Sequence, residues 1–122
     1  MQRTAPIPSI TYHLVAEPYY ESTNASEAYT PEDFASDGFI HCTDGEENVI
    51  ATANRYLEKD DRRWLVLVID KEKVRAEIKY ENPQRIYPHI YGPLNRDAIA
   101  STLPVKRAED GAFLALELAK PG

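Results

Sequence analysis

The stretch Trp64–Asp70 reads WLVLVID, a nearly continuous apolar run of strand length that follows the charged turn KDDRR. A strand with one wet face alternates polar and apolar residues, so an unbroken run predicts a strand covered on both faces, in the middle of the sheet system. The rest of the chain has to supply those two covers.

Working back from the run, Val49, Ile50, Ala53, Tyr56 and Leu57 fall at helical spacing, with Glu47, Thr52, Asn54 and Arg55 on the flanks. They predict an amphipathic helix over residues 44–58. Thr43-Asp44-Gly45-Glu46 has the spacing of a capping box at its start. Phe39–Cys42 is apolar enough for a short strand. The long polar segment before it is expected to open with a short helix over Pro18–Ser22 and to be pinned to the body by Tyr29, Phe34 and Phe39. Ser9–Val15 reads as a first strand, with Ile10, Tyr12 and Leu14 on one face and Thr11, His13 and Val15 on the other. Pro6 and Pro8 make residues 1–8 an expected extended arm.

Working forward, Val74–Tyr80 and Ile86–Tyr91 are further strands, the second with Pro88 suited only to an edge or an irregular position. Ala98–Val105 and Ala112–Leu118 flank KRAEDG, whose Asp110-Gly111 is a hairpin signal. Many strands, few helices and no regular alternation predict an α+β fold, with one domain over residues 9–122.

The chain has 122 residues, 43% of them hydrophobic, which suits one compact core. Fourteen basic against twenty acidic side chains give a net charge of −6, so the expectation is no non-specific nucleic acid binding. No apolar run approaches the roughly 20 residues that cross a bilayer, so no membrane span is expected. A single cysteine and an N-terminus without an apolar core point to a reducing, cytoplasmic setting.

All three histidines sit in apolar or aromatic strand-like segments: TYHLV, FIHCT and YPHIY. One reading of each is a buried ring bonded to a carbonyl; the sharper one is convergence of His13, His41 and His89 on one pocket. No metal is expected, because no histidine or cysteine lies at a short zinc-type spacing, and His41 and Cys42, adjacent on a strand, point to opposite faces. Cys42 has a helix start after it, yet a lone cysteine between apolar neighbours reads as a core residue rather than a nucleophile. For nucleotide recognition, Tyr12, Tyr87 and Tyr91 could stack on a flat ring, and the amides at Thr43–Glu46 face a strand-to-helix junction. Arg55 and Arg96 are the candidate charged contacts. There is no glycine-rich phosphate loop.

The segments TYHLV, YTPEDFASDGFIHCTD, ANRYL and YPHIYGPLN together resemble the family known as domain of unknown function 952, over nearly the whole chain after the arm. The resemblance implies an ADP-ribosyltransferase-like split barrel of two antiparallel sheets with one main helix and short helices, around a cleft that binds NAD in active relatives. It implies that His13 and His41 are catalytic, at the ribose; the reading of the residues themselves adds His89, Tyr12, Tyr91, Thr43 and Arg55 as expected ligand contacts. The expected ligand is a small nucleotide-like molecule, NAD or an ADP-ribose derivative. The glutamate that orients the nicotinamide ribose in mono-transferases is missing from YPHIYGPLN. Two functions stay open: transferase chemistry of ADP-ribosyltransferase or 2'-phosphotransferase type, and a non-catalytic module that binds a nucleotide or another small metabolite.

Overall fold

The structure, a computed structural model, describes residues 9–117. The expected arm, residues 1–8, and Leu118 lie outside that range.

The apolar run forms β3 (Trp64–Asp70), inside a four-stranded antiparallel sheet between β1 (Ile10–Ala16) and β6 (Ile99–Arg107), with β7 (Phe113–Leu116) beyond β6. Leu65, Leu67 and Ile69 enter one core cluster, while Trp64 and Val66 enter the other. That two-sided burial is why the strand has no polar phase. Val66, Leu67 and Ile69 are fully buried, and each such side chain is worth roughly 1.5–3 kcal/mol in transfer free energy.

The first cover is a three-stranded antiparallel sheet in the order β2 (Ile40–His41), β5 (Pro88–Tyr91), β4 (Glu77–Tyr80). Ile40 and Ile90, paired in register, face inward into the cluster that holds Leu65, Leu67 and Ile69. Strand alternation therefore turns His41, His89 and Lys79, the next residues in register, to the outer face. The sheets are bridged where Tyr12 and Thr43 exchange both backbone hydrogen bonds, at 2.9 and 2.8 Å.

The second cover is α3 (Glu46–Tyr56), which lays Val49 and Ala53 on the opposite face of the large sheet, against Val66, Val105, Phe113 and Leu116. It is shorter than the spacing predicts, and the capping box does not form. Gly45, at φ +90°, takes the N-cap position without a side-chain cap, because Thr43 is held in the bridge to β1 and Asp44 is buried in an ion pair with Lys71. Tyr56, expected in the apolar stripe, is 72% exposed; the stripe that packs is Val49, Ile50, Ala53 and Leu57.

Other boundaries also move. The strand expected from Val74 begins at Glu77: Val74 caps the 3₁₀ turn Lys71–Lys73 and the Arg75 N–H donates to Asn95 Oδ1 rather than to a strand neighbour. Pro88 opens the central strand of its sheet rather than an edge strand; as the first strand residue it sits where a missing N–H costs least. β6 runs on to Arg107, and Gly111, at φ +96°, lies in the turn to β7. β1 keeps the expected phase, with Thr11, His13 and Val15 buried.

The segment between β1 and β2 carries α1 (Glu17–Ser22) and α2 (Phe34–Asp37) and is tied down at its middle. Tyr29 is fully buried and exchanges backbone hydrogen bonds of 2.8 Å with Leu94 in both directions. Arg96 donates to the carbonyls of Glu27 and Asn24, to the Thr23 hydroxyl and to the Tyr20 hydroxyl. Arg96 is thus committed to the chain and is not a free ligand contact.

Candidate functional site

A cleft of about 670 Å³ runs along β1, the edge strand of the large sheet, and over β2, within the size range of small-molecule sites. Its lining includes His13, His41, His89, Thr43 and Arg55 among the sequence candidates, and Tyr87. Tyr12 and Tyr91 are not part of it. Tyr12 is turned toward the α3 side of the large sheet, as its strand phase dictates, and the Tyr91 hydroxyl is bonded to Glu81 on the outer face of the small sheet.

The three histidines do not play one role. His13 lies beneath β2, only 5% exposed, with both ring nitrogens in use. Nδ1 is 2.6 Å from the His41 carbonyl oxygen and Nε2 is 2.8 Å from the Tyr29 hydroxyl. A carbonyl only accepts, so Nδ1 carries the proton, and the neutral ring accepts at Nε2 from the phenol. Burial lowers the His13 pKa to about 4, against the opposing pull of the carbonyl bond, and pushes the Tyr29 phenol up. His13 is a neutral strut between the long segment, β1 and the backbone of β2.

His41 and His89, by contrast, face each other directly across β2 and β5, with ring centroids 5.4 Å apart. Each has one nitrogen held by a carboxylate: His41 Nε2 lies 3.2 Å from Asp37 Oδ2, and His89 Nδ1 lies 3.1 Å from Glu81 Oε1. Carboxylates accept, so the bonded nitrogens carry the protons, leaving His41 Nδ1 and His89 Nε2 as the lone-pair nitrogens of the neutral rings. Phe39 stacks on His89 at 4.1 Å and tilts against His41 at 4.6 Å, fixing both rings. The hydrogen bonds from Tyr91 and then His89 hold the Glu81 carboxyl below the usual range.

Sequence reasoning missed both carboxylates. Asp37 had a signal, since it precedes His41 by four residues and Gly38, at φ +81°, folds the chain back between them. Glu81 had none: it follows β4 and reaches His89 only because the β4–β5 pairing folds it there. The strand YPHIYGPLN does lack an acid, but the fold brings one to its histidine.

The other cleft walls differ in charge. Glu32, Asp33 and Asp37 line it against a single arginine, Arg55, beside the exposed Tyr56. Cys42, on the inner face of β2, is buried, and desolvation together with Asp44 pushes its thiol pKa up, the opposite of what a nucleophile needs. Among the described residues no group of three or more His, Cys, Asp or Glu side chains is placed to hold a metal, and no helix is long and apolar enough to cross a membrane.

Comparison with solved structures places the chain beside protein CC0527 from Caulobacter crescentus. Its crystal structure superposes with a TM-score of 0.71 at 19% identity, over 86% of this chain and 93% of that one. Its solution NMR structure gives 0.67 at 20% identity, over 85% and 90%. At that identity the likeness shows the fold: α+β, with a four-stranded antiparallel sheet, a second small sheet and few helices. No curated protein matches the chain. A family model described as "Protein of unknown function (DUF952)" matches residues 14–102, a span that includes β1 from Leu14, both carboxylate–histidine pairs, α3 and Arg55, and on this match the chain belongs to that family.

Proposed function

We propose that the cleft along β1 and β2 binds a nucleotide-like small molecule, with His41 and His89 at its ribose or phosphate and Arg55 and Thr43 contacting it further along. The observation that carries this reading is the pairing of two partly exposed imidazoles, each fixed by a carboxylate, in the wall of a ligand-sized cleft. Exposed ion pairs contribute little stability, so two of them side by side are better explained by what they orient than by what they stabilise. Two antiparallel sheets with a cleft beside their junction are also what an ADP-ribosyltransferase-like split barrel would present.

On this reading the chemistry is a transfer at ribose, of ADP-ribosyltransferase or 2'-phosphotransferase type. One imidazole, through its lone-pair nitrogen, takes the proton of the attacking group as that group bonds the ribose C1′, while nicotinamide leaves as a neutral molecule with the electron pair of the C1′–N bond; the other imidazole contacts the ribose hydroxyls. Asp37 and Glu81 supply negative charge near a developing oxocarbenium ion, the role left empty by YPHIYGPLN. The second reading, binding without turnover, is favoured by the lining charge, three carboxylates to one arginine, which holds an oligophosphate weakly.

Thermal unfolding with NAD, ADP-ribose and mononucleotides, together with chromatographic detection of nicotinamide from NAD, tests both. A rise in Tm that Arg55→Ala and His41→Ala abolish supports the cleft, and nicotinamide release that His41→Ala or His89→Ala abolishes supports transfer. Stabilisation without release selects the binding module. No stabilisation and no release by the intact protein overturn the nucleotide reading altogether.

A further inference from the structure

We infer that His41 and His89 form a two-imidazole site for a divalent transition-metal ion, bound through His41 Nδ1 and His89 Nε2. The two rings are directly opposite in register on neighbouring strands, and each donates its other N–H to a carboxylate, Asp37 or Glu81. Histidines that ligate metals nearly always carry such an outer carboxylate or carbonyl, which fixes the tautomer and aims the free nitrogen. Here both members of the pair have one.

The separation fits an ion between them. A Zn–N bond of about 2.1 Å plus roughly 1.1 Å from ring nitrogen to ring centre puts each centroid about 3.2 Å from the metal, and two such arms at a tetrahedral angle span about 5.2 Å. The centroids are 5.4 Å apart, with the rings at 70° to each other. Phe39 packs against both rings and limits their rotation. The local charge is also right for a cation: Asp37 and Glu81 flank the pair, and Lys79, opposite His89 in register, lays its ammonium over the Tyr91 ring at 5.1 Å.

With no third side-chain ligand among the described residues, the remaining coordination positions are open to water or to an incoming ligand, as in a catalytic rather than a structural metal site. Imidazole ligands suit Zn²⁺, Ni²⁺ and Cu²⁺ over Mg²⁺ or Ca²⁺. The proposal departs from the metal-free expectation of the sequence, which weighed short spacings along the chain; His41 and His89 are neighbours only across strands. It does not depend on the nucleotide reading, and either can fail without the other; an ion held through His41 Nδ1 and His89 Nε2 replaces the proton-transfer role of those nitrogens, leaving nucleotide binding itself unaffected.

The test is calorimetric titration of the tag-free chain with Zn²⁺ and with Ni²⁺, without nucleotide, combined with NMR of the imidazole nitrogens. The expected result is one ion per chain, shifts centred on His41 Nδ1 and His89 Nε2, at least tenfold weaker binding in His41→Ala and in His89→Ala, and about 10- to 100-fold weaker binding in the Asp37→Asn/Glu81→Gln double variant. Mg²⁺ is expected to give no heat. All four side chains reach solvent, and a circular dichroism spectrum like that of the parent confirms that each variant is folded. No Zn²⁺ or Ni²⁺ binding by the parent, or binding unchanged in both histidine variants, overturns the proposal.

Discussion

His13 Nε2 lies 2.8 Å from the Tyr29 hydroxyl, with both side chains buried. This one bond ties the middle of the long segment between β1 and β2 to the edge of the large sheet. Removing the hydroxyl leaves a buried imidazole nitrogen without a partner, which costs about 1–3 kcal/mol. Tyr29→Phe is expected to lower the urea midpoint by that amount with an unchanged slope; an unchanged midpoint would show that the bond carries no net stability.

The same histidine makes stability depend on pH. Its folded pKa, about 4, lies below the ordinary 6.5, so between those values the unfolded chain binds the proton and the folded chain does not. This contribution is therefore intact above about pH 6.5 and is lost as pH falls toward 4, to the extent of about 3 kcal/mol. Urea unfolding at pH 7, 6, 5 and 4.5 should show that decline, and His13→Gln should flatten it relative to the parent.

Asp44, Lys71 and Tyr80 form a buried cluster that holds the strand-to-helix junction against the 3₁₀ turn and β4. The Tyr80 hydroxyl donates to Asp44 Oδ2 at 2.6 Å, and Lys71 Nζ lies 3.3 Å from the same oxygen and also bonds the phenol oxygen. Lys71 and Asp44 have side chains 8% and 6% exposed. Lys71→Met strands a buried carboxylate, and a loss of roughly 3–5 kcal/mol is expected in chemical denaturation. Tyr80→Phe should cost less, about 1–3 kcal/mol, because Lys71 still neutralises the charge.

Gly111 turns the chain from β6 to β7 at φ +96°, and a Cβ built there would stand 2.8 Å from the Glu58 carbonyl oxygen. That carbonyl is fixed by Arg107, which also donates to the carbonyls of Asp60, Arg62 and Gly111. Gly111→Ala therefore meets both an unfavourable backbone conformation and a contact that cannot yield. A loss of more than about 1 kcal/mol is expected, read as a lower thermal midpoint, with faster amide exchange at residues 108–113.

Element identity was largely legible along the chain. WLVLVID announced β3, the period of two along residues 10–15 set which residues of β1 share a face, and the Val49–Leu57 stripe announced α3. The errors cluster where a tertiary partner outbid a local rule. Thr43 went to the β1 bridge instead of the capping box, Asp44 to Lys71, Tyr56 to the cleft mouth, and Pro88 to the start of a central strand.

The site divides in the same way. Sequence by itself determined which residue types were out of place, the three histidines in apolar strands, and that His41 and Cys42 must point apart, because side-chain direction along a strand is a local property with a period of two. It also determined the family. Only the tertiary structure decided that His41 meets His89 while His13 is a neutral strut beneath them, and that Asp37 and Glu81 complete the pair. Those facts depend on strand register and chain reversal, where residues far apart in sequence become neighbours through hydrogen bonds between strands, and no local periodicity records such a pairing.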